Sequence, residues 1–338
     1  MVTIKDVARQ ANVSVATVSR VFSGANVVRE ETSKKIRDVA ARLRYAPHGG
    51  ARSLITSRTH TLGVLLPDLY GEFFSEVIRG IDQAARQNGY HILVSRSNEG
   101  RHEIEEAIRA MRGRVDGVLL MSPDVDADSL RNVPSNVPVV LLCSATRGSE
   151  TDSVTIQNCR GARQMVSHLI SLGHRRIAIV KGAAGNYDAA ERLRGYRIAL
   201  REAGITPVRS LERDGDFTEA GGYAAARELL ALSPRPTAIF AANDSMAIGA
   251  LSALRESGVR VPQDMAVAGF DDIPLARYMD PPLSSVKVPI SDLGACAVEI
   301  LLHGIAHKNE HQPRRERVAT ELVIRRSCGA SSAERPPP

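Results

Sequence analysis

The chain of 338 residues is long enough for one large or two medium domains with a smaller one, so it needs no disulfide or metal to build a core. Its four cysteines lie far apart without a Cys-x-x-Cys pair, which argues against a disulfide framework or a structural zinc site. The N-terminus lacks a signal-peptide pattern and no run of 18 apolar residues occurs, which predicts a cytoplasmic protein that does not span a membrane.

The basic residues are distributed unevenly along the chain. Residues 1–58 contain 11 Lys and Arg against 4 Asp and Glu, whereas the remainder contains 33 against 34. The positive net charge of +6 therefore arises entirely from the first sixth of the sequence. A small basic module before a neutral remainder is typical of a protein whose N-terminus meets a polyanion such as DNA.

The first predicted helix has a capping signal and a helical period. Thr3 and Asp6 have the spacing of a capping box. Apolar residues recur at i, i+3, i+4 and i+7 from Ile4, so one face of this helix is apolar. Asn12 is expected to end it.

Two further helices are predicted in the basic module. Ser14 is a favourable N-cap, and Val13 and Val18 have the spacing of a hydrophobic staple. The segment EETSKKIRDVAARLRY, from Glu30, has acidic residues near its start, arginines near its end and one apolar face. Three short helices can share one core, and two helices across a tight turn predict a helix-turn-helix that places the second helix in the DNA major groove.

The outward face of the second helix carries the residues predicted to contact DNA. Arginine can bind guanine through two hydrogen bonds, small apolar side chains can contact a thymine methyl group, and hydroxyls can reach bases or phosphates. These residues are Val15, Ala16, Thr17, Ser19 and Arg20. Charge and period alone leave a second interpretation, a small helical bundle with a solvated charged face.

Short apolar runs alternate with amphipathic helices through the rest of the chain. The runs are TLGVLLP, HILVS, VDGVLLM and PVVLLC in a first set and RIAIV, TAIFAA and MAVAGF in a second. Repeated βα units predict parallel sheets covered by helices, and two sets predict two lobes with a ligand cleft at the carboxyl ends of the strands. The predicted fold class is an all-α helix-turn-helix domain followed by an α/β two-lobed core.

Several segments together resemble one protein family along most of the chain. They are TIKDVARQANVSVATVSRVFSG, VREETSKKIRDVAARLRYAPHGGARSL, GVLLPDLYGEFFSEVIRGI, PTAIFAANDSMAIGAL and RVPQDMAVAGFDD. The sequence is identified from them as a member of the lactose/galactose repressor family of bacterial transcription regulators. The resemblance implies a core with the fold of periplasmic sugar-binding proteins, and a homodimer that binds a pseudo-palindromic DNA operator.

The resemblance also implies a division into three parts. Residues 1–46 would form the DNA-binding domain, residues 47–58 a hinge and residues 59–338 the effector-binding and dimerisation core. Within the core, one lobe would comprise about 59–160 and 289–316, and the other about 161–288 and 317–328.

The hinge of this family is a short helix that docks in the DNA minor groove. By position in that pattern, Leu54 would wedge into a base step and kink the duplex, and Arg52 would approach the groove or its phosphates. Gly49 and Gly50 disfavour a helix, so this hinge is predicted to fold only on DNA. Composition alone also allows a flexible linker.

Aromatic, amide and charged residues stand where the family's motifs place effector contacts. They are Phe73, Phe74, Arg192, Phe217, Asn243, Asp244 and Asp271. Carboxylates accept hydrogen bonds from hydroxyls, a guanidinium donates them, and aromatic faces stack on the apolar face of a sugar. A small sugar or sugar derivative is therefore the predicted effector, with a purine or another metabolite as the alternative. Gly71, Glu72, Cys143 and Gln157 depart from the commoner family pattern, which argues against a common hexose.

Catalytic and metal-binding motifs provide little evidence for other functions. No nucleotide-binding, nucleophile-elbow or zinc-protease motif occurs, so neither an enzyme nor a cofactor is expected. His303, His307 and His311 would stack on one face if their helix continued, but Gly304 and the polar residues after His307 favour a solvated face over a metal site. A cytoplasmic sugar-binding protein or enzyme without DNA binding is the remaining alternative, and the basic N-terminus argues against it.

Overall fold

The computed structural model describes residues 2–22, 28–45, 58–96, 101–122, 137–144, 151–307 and 310–330. The predicted hinge contacts Arg52 and Leu54, and the glycine pair at 49 and 50, lie outside the described residues. The chain forms two compact units, one of residues 1–61 with 111–116 and one of residues 62–110 with 117–338. Within the described residues, no helix combines the length and apolar character that crossing a membrane requires.

The first unit contains the three predicted helices, α1 (Ile4–Ala11), α2 (Val15–Phe22) and α3 (Glu30–Arg42). The capping box of α1 is confirmed, since the Thr3 N–H and hydroxyl both donate to Asp6 Oδ2, at 2.9 and 2.7 Å. Asn12 ends the helix in the left-handed region, at φ 52°. A short polar residue tolerates that conformation better than other side chains do, which explains why the helix stops there.

The core of this unit is small and formed by all three helices. The Ser14 hydroxyl accepts a hydrogen bond from the Thr17 N–H at 3.1 Å and so caps α2 as predicted. Phe22 and Tyr45 meet edge to face, with ring centroids 5.9 Å apart. The buried core residues are Val7, Ala8, Ala11, Val18, Val21, Ile36, Val39 and Ala40.

Strands and helices alternate through the rest of the chain, as the apolar runs predict. In chain order they are β1 (Thr61–Leu66), α4 (Glu72–Gln87), β2 (His91–Arg96), α5 (Arg101–Met111), β3 (Gly117–Leu120), β4 (Val139–Leu142), β5 (Asp152–Ile156), α6 (Asn158–Ser171), β6 (Ile177–Val180), α7 (Tyr187–Glu202), β7 (Glu212–Arg213), α8 (Glu219–Leu230), β8 (Ala238–Ala241), α9 (Asp244–Glu256), β9 (Ala266–Asp271), β10 (Ser284–Lys287), α10 (Ile290–Ala306), β11 (Arg315–Val318) and β12 (Glu321–Val323).

The strands form two sheets, which confirms the predicted pair of lobes. The first sheet has the order β11-β5-β4-β3-β1-β2, and the second has the order β12-β10-β9-β8-β6-β7. Pairing is parallel from β11 to β1 and from β10 to β7, and β12 closes its sheet antiparallel to β10. The central strands are buried on both faces, as parallel sheets covered by helices require.

The described chain passes between the two sheets after β5, after β10 and between β11 and β12. The first sheet includes β11 as far as Val318, so the last passage follows Val318, two residues after the limit of about 316 that the sequence analysis gave for the first lobe. These three connections lie beside one another because β5 and β11 are neighbours in one sheet, and β10 and β12 in the other.

Glycines allow the helices of the core to pack closely in pairs. A Cβ atom on Gly249 of α9 would overlap the Glu219 carbonyl oxygen of α8, and one on Gly222 would overlap that of Met246. In the first lobe, a Cβ atom on Gly80 of α4 would overlap the Ser291 carbonyl oxygen of α10. The sequence analysis did not predict α8, because its two adjacent glycines are also typical of a turn.

Gly249→Ala is expected to destabilise the core by about 2 kcal/mol, because the added methyl group forces the α8 and α9 backbones apart. Gly304→Ala in α10 is the matched control, since its nearest neighbour would be Pro138 Cβ at 3.6 Å. That change should be neutral or stabilise by up to about 1 kcal/mol, because alanine favours a helix over glycine. Urea unfolding measures both, and equal free energies of unfolding for the two variants would contradict the packing argument.

Candidate functional site

A cavity of about 370 Å³ lies where the carboxyl ends of strands from both sheets face each other. Pro67 follows β1, Met121 follows β3 and Cys143 follows β4, so the first lobe supplies one wall. Asn243 follows β8 and Asp271 ends β9, so the second lobe supplies the other. This is the position at which open parallel sheets bind ligands.

The cavity brings together most of the residues that the sequence analysis selected as effector contacts. The predicted residues in its lining are Phe73, Phe74, Arg192, Phe217, Asn243 and Asp271. They come from both lobes and are separated by up to 198 positions in sequence, 73 to 271, yet they share one space of ligand size.

Asp244 is not part of this lining, although the sequence analysis placed it there. Its side chain is fully buried, and its two oxygens accept hydrogen bonds from Ser285 Oγ at 2.6 Å and the Ile273 N–H at 2.9 Å. Burial, with Asp271 nearby, raises the pKa of Asp244 well above its usual value. Asp244 therefore connects α9 to the segments around β9 and β10 instead of facing a ligand.

Arg192 is the centre of a buried polar network on the cavity floor, with 3% of its surface exposed. Its Nε donates to Asn158 Oδ1 at 2.8 Å, and Asn158 Nδ2 donates to Asp188 Oδ1 at 2.7 Å. Its Nη2 lies 3.2 Å from Asp271 Oδ1, and its guanidinium stacks 3.8 Å from the centre of the Phe270 ring. The network holds the guanidinium fixed between two carboxyl groups.

The sequence analysis missed two members of this network, Asn158 and Asp188. Both are buried polar residues in the first turns of α6 and α7, and Asp188 also lines the cavity. An Asp in the first turn of a helix is common because its charge interacts favourably with the helix dipole, so this position alone does not indicate a binding site. The one available signal was Asp188 itself, four positions before Arg192 on the same helix.

Burial shifts the acid strength of the two carboxyl groups that face Arg192. Burial raises the pKa of Asp188 to about 6, and the Arg192 charge and the Asn158 hydrogen bond limit that rise. Burial raises the pKa of Asp271 to about 7, with Arg192 opposing and Asp188 adding to the shift. The Cys143 thiol beside them has a raised pKa for the same reason. These carboxyl groups can therefore change protonation near neutral pH when a ligand binds.

The folded core is expected to lose stability through Asp188 and Asp271 as the pH rises from about 4 to about 7. Their pKa values of about 6 and about 7 lie above the value near 3.9 of an unfolded chain, so the folded protein retains protons that the unfolded chain has released. Urea unfolding at stepped pH should show this contribution to the free energy falling across the window, by about 1.4 kcal/mol for each unit by which a folded-state pKa exceeds that of the unfolded chain. Asp188→Asn, which cannot ionise, should flatten the curve. The same pH dependence of the free energy of unfolding in the original protein and in Asp188→Asn would contradict the assignment.

Aromatic rings supply the apolar part of the cavity lining. Phe73 and Phe74 meet edge to face, with ring centroids 5.6 Å apart and planes at 84°. The Phe217 ring packs where a Cβ atom on residue 182 would lie, so Gly182 is required there. Asn243 Nδ2 donates to the Phe217 carbonyl oxygen at 2.9 Å and fixes that segment. Aromatic faces above a polar floor suit a ligand with an apolar ring face and hydroxyl edges.

Two departures from the family pattern have visible structural roles at the cavity mouth. Gly71 is the N-cap residue of α4 and has φ 100°, a conformation that favours glycine. Glu72 Oε2 accepts a hydrogen bond from the Leu275 N–H at 2.9 Å, which joins the first lobe to the short helix Pro274–Tyr278 of the second.

The residues predicted to contact DNA lie together on α2. Val15, with 40% of its surface exposed, Ala16 and Arg20 are exposed, and Thr17 and Ser19 are half-buried. The Thr17 hydroxyl also lies 2.8 Å from the Ser14 hydroxyl. Val18 and Val21 of the same helix are buried in the core, so α2 presents its other side to solvent.

The three histidines of α10 and its C-terminal extension do not form the single stack that a longer helix would produce. The helix ends at Ala306, and His311 folds back so that its Nδ1 lies 3.0 Å from His303 Nδ1. His311 Nε2 pairs with Asp152 Oδ2 at 2.7 Å. In the part of the chain that the structure describes, no group of three or more Cys, His, Asp or Glu residues could hold a metal ion.

The structure thus combines a basic three-helix unit of helix-turn-helix form with a two-lobed core that encloses a ligand-sized cavity. These two parts on one chain define the class of transcription regulators that carry their own effector-binding domain. A model of bacterial regulatory proteins of the lacI family matches residues 3–48, and a model of a periplasmic binding protein-like domain matches residues 166–328.

Whole-chain comparisons agree with these matches. The HTH-type transcriptional repressor PurR of Photobacterium profundum is 38% identical over 97% of this chain and 98% of its own. The ribose operon repressor of Escherichia coli strain K12 is 36% identical over 93% of this chain and 96% of its own. The crystal structure of the lac repressor dimer bound to operator and the anti-inducer ONPF superposes with a TM-score of 0.88 at 31% identity, covering 97% of this chain and 99% of that chain. The chain belongs to the lacI family of bacterial regulatory proteins.

Proposed function

We propose that this protein is a transcriptional repressor that binds its operator as a homodimer in the cytoplasm. Its affinity for the operator falls or rises when a small sugar or sugar derivative binds in the cavity. The observation that carries the proposal is the cavity itself, in which aromatic rings face a floor of Arg192, Asp188 and Asp271. The three relatives compared above are all repressors, which supports a binding function for the core in preference to a catalytic one.

A sugar is the effector that this lining suits best. Hydroxyl groups can donate to the Asp188 and Asp271 carboxylates, and the apolar face of a ring can stack on Phe73 or Phe217. The E. coli relative at 36% identity is a ribose operon repressor, which supports a sugar as the effector.

The control of DNA binding would depend on the relative orientation of the two lobes. A ligand that contacts both walls of the cavity favours the orientation in which both sets of contacts form. The hydrogen bond between Glu72 and Leu275 already links the lobes at the cavity mouth, and a ligand there would add to that link. By thermodynamic linkage, operator DNA must change the affinity for the effector by the same factor.

The proposed DNA interface is the exposed side of α2. A two-fold dimer places two such helices in successive major grooves, with half-sites about one helical turn apart. The proposed base and phosphate contacts are Val15, Ala16, Thr17, Ser19 and Arg20. Arg52 and Leu54 of the hinge are proposed to reach the minor groove between the half-sites.

A gel-shift titration with duplexes from the chain's own upstream region tests the DNA-binding part of the proposal. A palindromic fragment should bind at least 100-fold more tightly than random duplex at about 0.15 M salt, as for a specific regulator. Sedimentation of the free and DNA-bound protein should give two subunits per operator. Equal affinity for all duplexes, or a monomer on the operator, would contradict the proposal.

Arg20→Ala is expected to relax the sequence preference at one base pair in each half-site by about 1–3 kcal/mol, because a guanine contact would be lost. The measurement compares affinities for a set of operators changed one base pair at a time. Arg9→Ala is the matched control, since Arg9 is an exposed arginine of α1 that pairs with Asp6. It should leave the base preference intact. An unchanged preference in the Arg20 variant would remove Arg20 from the base contacts.

A further inference from the structure

The effector cavity has a strongly acidic lining. Among the described residues, two arginines, Arg96 and Arg192, contribute positive charge to it. The acidic lining residues are Asp68, Glu72, Asp188, Asp216, Glu219 and Asp271. Of these six, Asp271 alone is paired with a cation among the described residues, through Arg192 at 3.2 Å. A concave site with an excess of one charge attracts ligands of the opposite sign and repels ligands of the same sign.

The helices around the cavity point their N-termini into it, which by itself would favour an anion. The N-cap residues of four described helices, α4, α7, α8 and α9, line the cavity: Gly71, Asn186, Thr218 and Asn243. Unpaired backbone N–H groups and the helix dipole make such ends good sites for phosphate or carboxylate. Taken alone, the four helix N-termini would therefore favour an anionic ligand.

Each of these four helices has an acidic residue of its own in its first turn, beside the N-terminus that would bind an anion. The acidic residue in the first turn is Glu72 in α4, Asp188 in α7, Glu219 in α8 and Asp244 in α9. The carboxylates of Glu72 and Glu219 thus balance the positive ends of α4 and α8, and a further anion near them would lie among like charges. Asp188 and Asp244 also occupy the ends of their helices, but burial raises their pKa values, so they contribute less negative charge.

The two arginines are also engaged by groups of the protein. All three nitrogen atoms of Arg192 face protein oxygens, namely Asn158 Oδ1, the Ala242 carbonyl and Asp271 Oδ1. Arg96 Nε donates to the Pro67 carbonyl oxygen at 3.1 Å. In contrast, buried Asp271 Oδ1 receives no hydrogen bond of normal geometry from the described residues. The deep end of the cavity thus offers a ligand an acceptor whose only contact of this kind among the described residues is the ion pair with Arg192.

We propose that the effector of this protein carries no phosphate or carboxylate group and is a neutral or cationic polyhydroxyl compound whose hydroxyl or ammonium donors meet the cavity carboxyl groups. The proposal rests on the proposed function, since it names the chemical class that the regulatory cavity takes. It excludes sugar phosphates, uronic acids and nucleotides, and it includes neutral sugars and amino sugars.

Cys143 allows the charge selectivity of the cavity to be measured in the full-length protein without knowing the effector, because its thiol lies in the lining. The probes are methanethiosulfonate reagents of similar size that carry a positive or a negative charge, and peptide mass spectrometry measures their rates at each cysteine. The same pair is measured on Ala183→Cys, which puts a thiol at a half-buried position of the cavity wall. The cationic reagent should react about tenfold or more faster than the anionic one at residues 143 and 183.

The controls separate the cavity from the rest of the molecule. Cys159 lies outside the lining, with Arg194, Glu191 and Arg163 near it, so the cationic reagent should have no advantage there. Asp216→Asn combined with Glu219→Gln should reduce the rate ratio at residue 183, whereas Asp264→Asn, outside the lining, should not. An anionic reagent that reacts as fast as the cationic one at residue 183 would overturn the proposal.

Matched ligands provide a second readout. Thermal-shift titrations compare ribose with ribose 5-phosphate, and glucose with glucosamine, glucuronate and glucose 6-phosphate. An anionic member that raises the unfolding midpoint above its neutral counterpart overturns the proposal, even if the operator is bound as proposed. Conversely, a chain without operator preference but with a cation-selective cavity would contradict the proposed function and leave the charge selectivity of the cavity established.

Discussion

Replacing Arg192 with leucine is expected to destabilise the core by about 3–5 kcal/mol at about pH 8 and to abolish the response to effector. The change removes the cation that faces Asp271 and takes the hydrogen bond from Asn158, so buried polar groups lose their partners. Urea unfolding measures the free energy, and thermal shift measures effector binding. The loss should shrink as the pH falls below about 6, because Asp188 and Asp271 then become neutral and need no cation.

Arg194→Leu is the matched control on the same helix. Arg194 has 58% of its side-chain surface exposed and pairs with Glu191, so its removal should cost about 1 kcal/mol or less. Comparable losses for the two variants, or an Arg192→Leu loss that grows as the pH falls, would show that the buried network does not stabilise the core in this way.

Ile36→Ala is expected to abolish DNA binding while the effector-binding core stays folded. Ile36 is fully buried among the three helices of the first unit, and truncating such a residue costs about 2–5 kcal/mol. A unit of this size has only a few kcal/mol of stability in total, so most molecules would lose its fold. Gel shifts should show no binding to operator or random duplex, whereas the effector should still raise the unfolding midpoint of the core.

Asp38→Ala is the control for that variant, because Asp38 is exposed on the same helix. It should keep the operator preference of the original protein. If Ile36→Ala retained operator binding, the three helices would not depend on their shared core for their fold.

Local signals in the sequence predict the first unit well. The capping box at Thr3, the N-cap at Ser14 and the spacing of apolar residues in α3 all act within a few residues of one another. The same holds for the βα alternation, because buried parallel strands are short apolar runs wherever they stand. Helix α8 was missed since its glycines serve contacts with α9, and those contacts join residues that local patterns do not connect.

The cavity floor shows where prediction from sequence ends. Asn243 and Asp244 are neighbours at the start of one helix, yet Asn243 lines the cavity and Asp244 is buried beneath it. Sequence position cannot distinguish them, because the direction of each side chain depends on how the helix meets the sheet. Asn158 and Asp188 were missed for a related reason. Asn158 at the start of α6 forms hydrogen bonds with Asp188 and Arg192 of α7, and the local sequence does not show that these residues meet.

The three passages of the chain between the sheets also bear on how the protein is made. The last strand of each sheet, β11 or β12, lies between Arg315 and Val323. Neither lobe is therefore a continuous segment that could fold on its own before these strands are synthesised. The helices α1 to α3 precede the core in the chain and depend on short-range contacts, whereas the two sheets around the cavity are complete only after β11 and β12 have been made. A nascent or truncated chain would therefore carry the DNA-binding helices without the means to sense a metabolite.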